Sequence, residues 1–417
     1  MTVDPTRLYL WSGVIWYGAL RAYWVSLVVR LTIALELPSL QLVLLGTAME
    51  TALLVSEVPT GVVADRFSRK WSIVIGFVGV GLAQIAAGIA DTFGLLVATQ
   101  VVWGVAYTFR SGADTAWITD ELGGADAVEG LIIRLGRLRQ LTAVVSIGAG
   151  AALARLTSLT TAVVVTGLLL VATGAVLAVV MPERGFARRA RRPGSAGAER
   201  TVGEGEAPGL WSTLAAGARV TIGSPSLRLL LVVLVLAGLA SEAIDRLDIR
   251  RLGDLGLADY DEVVLVAVIA VSESLVGAVV LWWAERRIGP GRTPTALGVT
   301  LLVAAVGIAA LGLVAVLPVA AAGLILQGGV RQAAAPFTTA WANAHAPSET
   351  RATVLSFVEQ ANSVGEIGGG VALGLVAAAT TVPTAMTVSL VLIVLAAGVA
   401  LRAQPTMSAE RPLGAVR

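Results

Sequence analysis

The dominant feature of the chain is a series of long apolar stretches separated by short polar segments. Twelve stretches reach the length of about 20 residues that a helix needs to cross about 30 Å of hydrocarbon. Their apolar residues run continuously and do not alternate with polar ones, which favours helices over strands. The predicted spans cover residues 8–33, 40–62, 71–90, 92–116, 132–154, 159–181, 227–249, 262–284, 295–317, 318–343, 352–378 and 382–402.

Basic residues are distributed unequally between alternate connecting segments. If both termini are cytoplasmic, 22 of the 30 Lys and Arg residues fall on inner segments and 4 on outer segments. Because inner loops of membrane proteins are enriched in Lys and Arg, this bias predicts that both termini are cytoplasmic. The sequence pI of about 9.3 is therefore explained by membrane topology and does not indicate nucleic-acid binding.

Composition supports a membrane protein and excludes several other classes. Of the 417 residues, 56% are hydrophobic and only 14% are charged, against about 25% charged in soluble domains. The absence of cysteine and the single His345 exclude a disulfide framework, Cys-ligated zinc and paired-His metal sites. The single lysine, Lys70, does not stand in a P-loop, which excludes a P-loop ATPase. We expect no cofactor and no bound metal.

The polar stretch 183–226 divides the chain into four predicted regions. Its arginine run and its Gly, Ser and Glu residues cannot bury a core and predict a flexible cytoplasmic linker. The regions are a six-helix bundle (1–182), the linker (183–226), a second six-helix bundle (227–404) and a cytoplasmic tail (405–417). Near the end of the linker one helical face carries Trp211, Leu214, Ala215, Ala218 and Ile222. This face predicts either a short interfacial helix or a plain loop.

The two halves resemble each other at a sequence offset near 220. Gln140 and segment 147–153 correspond to Gln360 and segment 367–373. Spans 2 and 8 share a Ser-Glu pair, and spans 4 and 10 each carry an arginine followed by Thr-Ala-Trp. Since each half has six spans, the halves share one orientation. This is a parallel repeat, which predicts a substrate site between the halves near the membrane midplane.

The segment between predicted spans 2 and 3 reads G-V-V-A-D-R-F-S-R-K over residues 61–70. It resembles the G-x-L-A-D-R-x-G-R-K signature of the major facilitator superfamily, at the position that the family uses. Val63 replaces Leu and Ser68 replaces Gly. We expect Ser68 to stiffen the turn, because Gly tolerates positive φ and Ser does not. The resemblance implies an all-α membrane protein with twelve transmembrane helices, built as a 6+6 pseudo-repeat of two bundles.

The residues of this motif also have a physical interpretation. Gly61 permits close helix approach, and Arg66, Arg69 and Lys70 can bind lipid phosphate or pair across the halves. The resemblance implies that Asp65 bonds near the start of span 11 and latches the outward-open state. The alternative is a topogenic basic loop, which explains the cations but explains neither Gly61 nor Asp65.

A second segment, 103–120, is similar to bacterial facilitators of the drug or macrolide efflux type, as is segment 346–353. Two sequence features of proton-coupled antiporters are missing from this chain. Gln100 stands where the family has a span 4 arginine, and no proline follows the glycines of 148–150. These departures weaken the prediction of proton-coupled export without affecting the resemblance to a facilitator.

Several charged residues fall inside predicted spans, where each costs about 2.5–3.5 kcal/mol on insertion scales and needs a partner or a task. Arg21 of span 1 and Glu50 of span 2 are positioned to pair on adjacent helices. Arg110 and Asp114 are four residues apart on span 4 and can pair on one face. We expect Arg331 of span 10 to be the cation that faces the cavity from the second half.

Buried carboxylates can load and release a proton. The candidates for this role are Glu50, Glu273 and Glu366, and for each the alternative is a structural salt bridge or a helix–helix hydrogen bond. The candidates for lining a substrate cavity are Tyr17, Trp24, Gln327 and Asn362. For Tyr17 and Trp24 a stacking wall and an interfacial belt with ordinary packing are equally supported.

These features favour a secondary transporter that works by alternating access and exports a small amphipathic molecule, driven by protons. The alternatives are a facilitator or symporter of a polar solute, such as a sugar, siderophore or metabolite, and a membrane-embedded lipid-modifying enzyme. The expected partners are the substrate, protons and membrane lipids, and we expect a monomer that is not an enzyme. The Arg- and Ala-rich composition with a single Lys suggests a GC-rich bacterial genome, and we expect a multi-pass protein of the plasma (inner) membrane.

Overall fold

The computed structural model describes residues 4–123, 126–184, 218–288, 292–346 and 351–403. Regular structure in these ranges is entirely helical. A π-helical turn covers Arg30–Ala34, and a 3-10 turn covers Leu257–Asp259. The helices are α1 (Pro5–Val29), α2 (Ser39–Arg66), α3 (Arg69–Ile89), α4 (Phe93–Arg110), α5 (Ala113–Leu122), α6 (Asp126–Leu156), α7 (Leu159–Val180), α8 (Pro225–Asp254), α9 (Glu262–Arg287), α10 (Thr293–Leu313), α11 (Leu317–Arg331), α12 (Ala334–His345), α13 (Arg351–Ala379) and α14 (Val382–Arg402).

Within the described ranges, nine helical segments are long and apolar enough to cross a membrane. They comprise α1 to α3, α7 to α10, α13 and α14. The remaining predicted spans correspond to α6, which carries several arginines in its first half, and to two pairs of shorter helices. The chain is therefore a multi-pass membrane protein, and the number of twelve crossings stays a prediction.

The predicted continuous span 92–116 is broken in the structure. α4 ends at Arg110, and Gly112 adopts φ 74° before α5 begins at Ala113. A residue with a Cβ pays a steric cost at this left-handed φ, whereas glycine does not. The sequence signal that the prediction passed over is therefore Gly112 itself.

The predicted span 318–343 is broken at the corresponding place of the second half. α11 ends at Arg331, and α12 begins at Ala334. Pro336 explains the break. Proline has no N–H to donate to the carbonyl of residue 332, and its ring clashes with that carbonyl in a continuous helix. In both halves the arginine that the repeat aligns is thus the last residue of the helix before the break.

The structure divides into two compact units. The first contains Met1–Leu37, Ala48–Gly205 and Asp261–Val271, and the second contains Pro38–Thr47, Glu206–Tyr260 and Ser272–Arg417. Each unit has its own apolar core, with Phe77, Ile118 and Leu170 fully buried in the first and Leu227, Leu230 and Trp341 fully buried in the second.

Equivalent helices of the two units pack through an equivalent glycine. In the first unit α1 packs on α6, and a Cβ at Gly18 would lie 2.9 Å from Cγ2 of Thr142. In the second unit α8 packs on α13, and Gly238 lies directly against the backbone of Asn362. Gly238 and Asn362 each stand 220 residues after their counterparts in the first unit, so the duplication seen in the sequence extends to helix packing.

The Thr-Ala-Trp segments of the repeat also occupy equivalent places. Trp117 lies in α5 and Trp341 lies in α12, directly after the two helix breaks, and each is at most 2% exposed. The indole Nε1 of Trp117 donates to the carbonyl of Pro182 at 2.7 Å, and that of Trp341 donates to Oγ of Ser226 at 2.9 Å. These hydrogen bonds satisfy two buried donors and anchor the short helices.

In the first unit, Asp261 attaches the start of α9 to the end of α6. Its Oδ2 accepts a hydrogen bond of 2.5 Å from Nε of Arg155, and its Oδ1 accepts one from the backbone N–H of Val264. The backbone N–H of Val264, and then Arg155, lower the pKa of the Asp261 carboxyl below its usual value. This carboxylate therefore acts as the N-cap of α9.

The predicted interfacial helix lies mostly outside the described residues, including Trp211, Leu214 and Ala215. Residues 218–223 are helical and lead directly into α8 through Ser224, whose hydroxyl caps that helix. Ile222 is 63% exposed, whereas Thr221 is buried. The described end of the segment is therefore a helical turn with one buried face.

The packing of α1 on α6 can be tested with two glycines of one helix. A Cβ at Gly150 would lie 2.8 Å from Cβ of Ala22, whereas a Cβ at Gly148 meets no atom within 4 Å. Gly150→Val is therefore expected to lower the free energy of unfolding by about 1–3 kcal/mol through overpacking. Gly148→Val is the matched control. Thermal unfolding in detergent measures both, and equal midpoints for the two variants would contradict this packing.

Candidate functional site

The second unit encloses a cavity of about 240 Å³ bordered by α8 and α10 to α14. Nine of the sixteen residues that line it are aliphatic and seven are polar. In a small-molecule site, apolar surface binds the ligand and polar groups orient it, and this lining provides both. The polar lining residues are Ser241, Asp245, Arg331, Thr338, Glu359, Asn362 and Glu366.

The strongest polar contact in this cavity joins Arg331 to Asp245. Nη2 of Arg331 donates to Oδ1 of Asp245 at 2.6 Å and to Oδ2 at 2.7 Å. Their side chains are 31% and 40% exposed, so the pair lies on the cavity wall and is not sealed in the core. Charge-assisted hydrogen bonds of this kind are roughly twice as strong as neutral ones. Arg331 is held at this place because it ends α11 at the helix break.

Glu366 lies on α13 and is oriented by its own helix. Nδ2 of Asn362, one turn earlier, donates to Oε1 of Glu366 at 2.9 Å. The backbone here is pressed against α8, since Gly365 lies against the carbonyl of Val235 and against Gly238. The close approach of the two helices therefore holds Glu366 and Asn362 beside the cavity.

Glu273 approaches the same arginine from α9. Its carboxyl group lies directly against Gly328, less than one turn before Arg331 on α11. Nε2 of Gln332, the residue after Arg331, donates to the carbonyl of Glu273 at 3.2 Å. The charge of Arg331 interacts with the charges of Asp245, Glu273 and Glu366. We name these four residues the Arg331 cluster.

The Arg331 cluster contains three carboxylates and one guanidinium. With all four groups ionised their charges sum to −2, and the charge of Asp248 interacts with those of Asp245, Glu273 and Arg331 as well. Uptake of a proton or binding of a cationic group reduces this charge. Protonation and the binding of a cationic group are therefore two alternative ways to reduce the negative charge of the cluster.

A second ion pair of the same unit behaves differently. Nε of Arg246 donates to Oε1 of Glu242 at 2.9 Å, one helical turn apart on α8. Glu242 is only 4% exposed, and both side chains pack against Gly46 of α2. A buried carboxylate that bonds to a cation of its own helix suits a structural role.

In the first unit Arg110 and Asp114 join the two sides of the helix break. Nη2 of Arg110 lies 2.7 Å from Oδ2 of Asp114. The guanidinium also lies over the rings of Trp16 and Phe77, at 4.5 and 5.5 Å from their centroids. The pair therefore stabilises the connection between α4 and α5. Both residues, together with Tyr107, also line a second cavity.

The other predicted residues of the first unit lie near this aromatic region. Trp24 packs edge-on against Tyr23 at 5.2 Å and against Trp103 at 5.8 Å. The guanidinium of Arg21 lies 5.8 Å from the ring of Tyr17. The pairing of Arg21 with Glu50 stays a prediction.

Gln327 does not line the cavity of the second unit. It is 2% exposed on α11, and its backbone nitrogen lies against Gly307 of α10. Asn362, the other predicted cavity residue of this unit, does line the cavity.

The motif at residues 61–70 forms the end of α2 and the start of α3. Nη1 of Arg69 donates to Oδ2 of Asp120 at 2.5 Å and to the carbonyl of Ala116 at 2.6 Å. Arg69 therefore fastens α3 to α5. Arg66 is exposed, Nζ of Lys70 lies 5.8 Å from the Trp71 ring, and a Cβ at Gly61 would meet no atom within 4 Å. The side chain of Asp65 lies outside the described part.

The structure does not support the prediction that Ser68 stiffens the turn between α2 and α3. Ser68 adopts φ −173°, an extended conformation that any residue can take. Its hydroxyl accepts from the N–H of Trp71 at 3.0 Å, which caps α3, and donates to the carboxylate of Glu183 at 2.8 Å. Serine therefore replaces glycine here without strain and adds two hydrogen bonds.

Three contributors to these sites were missed by the sequence reasoning. Asp245 stands 86 residues before Arg331, and nothing in the local pattern distinguished it from Glu242 as the partner. Glu359 lies two turns before Glu366 on the same face of α13, a spacing that could have indicated it. Tyr107 stacks on Trp103 at 5.1 Å, and their i,i+4 spacing was the available signal.

The structure is similar to solved transporter structures over nearly the whole chain. A structure of the nucleoside transporter NupG has a TM-score of 0.72 at 13% identity, covering 97% of this chain and 99% of that one. A bacterial homolog of the human lysosomal transporter Spinster, in an inward-facing conformation, has a TM-score of 0.74 at 16% identity, covering 98% and 99%. The chain has the fold of these transporters.

Sequence comparison adds a shorter match. The chain is 31% identical over 84 residues to YxaM of Bacillus subtilis, described as an uncharacterized MFS-type transporter. The match covers 20% of this chain and 21% of that protein, so the chain spans about a fifth of the length of the curated relative it matches. No protein-family model matches the chain.

The charge balance of the Arg331 cluster can be tested by removing its cation. Arg331→Gln is expected to lower the free energy of unfolding at neutral pH by about 1–2 kcal/mol, because the charge-assisted bonds to Asp245 are lost. Thermal unfolding in detergent at neutral pH measures the effect.

Arg250→Gln is the matched control for this experiment. Arg250 pairs with Asp254 at 3.6 Å with similar exposure, 36% and 41%, but outside the cavity. Its removal should cost about 0.5 kcal/mol or less. Adding Asp245→Asn to Arg331→Gln should restore part of the lost stability. If the two single variants lose the same stability, the charge balance described above is wrong.

Proposed function

We propose that the protein is a secondary transporter of the major facilitator superfamily that moves a small amphipathic molecule by alternating access. The observation that carries the proposal is the Arg331 cluster, which places three carboxylates around one cation beside a cavity of about 240 Å³. Ionisable side chains beside a cavity inside a membrane protein are typical of proton pathways.

The repeat supports the alternating-access part of the proposal. Parallel repeats related by an axis along the membrane normal are typical of transporters whose halves rock about a central site. We propose that the halves are six-helix bundles at residues 1–182 and 227–404, with twelve crossings and cytoplasmic termini. The excess of arginine on the predicted inner segments supports this orientation.

The proposed direction is export, with protons moving inward, across a bacterial plasma membrane. Glu366 is the proposed proton carrier, because it lines the cavity and accepts a hydrogen bond from the neutral amide of Asn362. Glu273 is a second candidate through its interaction with Arg331. Asp65 is the proposed latch of the outward-open state, as the resemblance of residues 61–70 to the family signature implies.

The proposed function is tested by screening a strain that expresses the protein for altered susceptibility to a panel of amphipathic compounds. A compound that is exported should then accumulate in inside-out proteoliposomes when a pH gradient is imposed. If accumulation persists unchanged after the gradient is dissipated, proton-coupled export is refuted, and a facilitator of a more polar solute becomes the better account.

Substitution of the proposed proton carrier gives a sharper result. Glu366→Gln is expected to abolish gradient-driven accumulation, because an amide cannot carry a proton, while exchange of labelled for unlabelled compound without a gradient continues. Glu57→Gln is the control, since Glu57 is an exposed carboxyl of α2 outside the cluster. Persistent pH dependence in Glu366→Gln would show that another carboxylate carries the proton.

The latch is tested by Asp65→Asn. This change removes the negative charge and leaves the size of the side chain almost unchanged, so membrane insertion should stay normal while the transport rate falls at least severalfold. The amount of protein in the membrane and the initial rate of transport are measured together. An unchanged rate would contradict the latch, whereas Arg66→Gln should have a smaller effect because Arg66 is exposed at the helix end.

A further inference from the structure

The first unit contains a cavity of its own, of about 220 Å³, at the break between α4 and α5. Side chains from α1, α4, α5 and α6 line it. The volume is many times what one ordered water needs, so the cavity can hold an organic group. The side chains that determine its chemistry are Tyr9, Trp16, Tyr107, Arg110, Asp114 and Arg139.

The charges of this cavity do not balance. Arg110 is matched by Asp114 at 2.7 Å. Arg139 of α6 also lines the cavity, and within the described part of the chain no carboxylate forms an ion pair with it. Its Nε is buried and has no hydrogen-bond partner there. The charged side chains that line the cavity therefore sum to a net positive charge, and an anion that enters it gains a counter-ion and at least one donor.

Aromatic rings form the apolar part of the same wall. Trp16 and Tyr107 both line the cavity, and the centroids of their rings lie 5.8 Å apart. The ring of Tyr107 also stacks on that of Trp103. Rings of this kind bind flat apolar groups over a large area at low entropic cost. An unpaired guanidinium beside an aromatic wall is thus complementary to a ring that carries an acidic group.

We propose that this cavity binds the transported molecule and that the molecule is an organic anion, a carboxylate or phosphate attached to an aromatic or similarly flat group. Arg139 is its counter-ion, and Trp16 and Tyr107 contact its ring. The assignment rests on the proposed transport function and specifies its substrate class. The Arg331 cluster has the opposite charge and takes the proton, so the two cavities have separate tasks.

The proposal is tested by binding of 1-naphthoate to the full-length protein in nanodiscs of phosphatidylcholine, measured by calorimetry without any gradient. The neutral isostere 1-naphthamide should bind about tenfold more weakly, because it lacks the charge that pairs with Arg139. Arg139→Gln should weaken naphthoate binding by a similar factor and leave naphthamide binding unchanged. Arg137→Gln is the matched control, since Arg137 is an exposed arginine two residues away on α6.

A second measurement uses the native protein, so it does not require that a variant folds. Phenylglyoxal modifies accessible arginines, and mass spectrometry reports the modified positions. Naphthoate should protect Arg139 from modification and should not protect Arg137. Equal binding of naphthoate and naphthamide, unchanged affinity in Arg139→Gln, or absence of protection at Arg139 would each overturn the proposal.

Anionic lipid headgroups share the chemistry of the proposed ligand, and nanodiscs containing phosphatidylglycerol distinguish the two sources. A free organic anion predicts that naphthoate affinity is nearly the same in both lipids. If phosphatidylglycerol lowers it about tenfold in the native protein and not in Arg139→Gln, the site belongs to a headgroup and the assignment is wrong. Intact charge-dependent binding without gradient-driven transport would instead refute the proposed function.

Discussion

The structure depends on the compensation of charge inside an apolar protein. A chain with 56% hydrophobic residues has little polar surface to spare, so each intramembrane arginine determines what must lie near it. Arg110 pairs with Asp114, and Arg246 pairs with Glu242. Arg331 interacts with the charges of Asp245, Glu273 and Glu366, and among the described residues no carboxylate forms an ion pair with Arg139. We propose that the last two arrangements mark sites that exchange a proton or bind an anion, whereas the first two stabilise the fold.

The helix breaks explain why these charges lie where ligands can reach them. Arg110 and Arg331 each end a helix, one before a glycine with positive φ and the other before Ala333 and the proline-containing start of α12. An arginine at a helix end is not enclosed by the next turn of its own helix, so its guanidinium can reach side chains of other helices. The buried Trp117 and Trp341 then fix the short helices that follow. The same device thus serves both units, although the surrounding charges differ.

The sequence predicted the helical architecture well because lipid-length apolar stretches and a repeat at offset 220 are long-range regularities. The same offset relates Gly18 to Gly238 and Thr142 to Asn362 in the packed structure. The sequence did not predict which carboxylate pairs with Arg331, because Asp245, Glu242, Glu273 and Glu366 are equally plausible until helices are placed. It also passed over Gly112 and Pro336, since hydropathy averages conceal a single residue that interrupts a helix.

The central claim is that the Arg331 cluster holds an exchangeable proton. Infrared difference spectra of the purified protein, recorded between acidic and neutral pH, report directly on protonated carboxyl groups. The account predicts a carbonyl band of a protonated carboxylic acid that disappears as the pH rises and that is absent or reduced in the Glu366→Gln variant. A spectrum without such a band, or a band that is unchanged by substitution of Glu366 and Glu273 together, would contradict it.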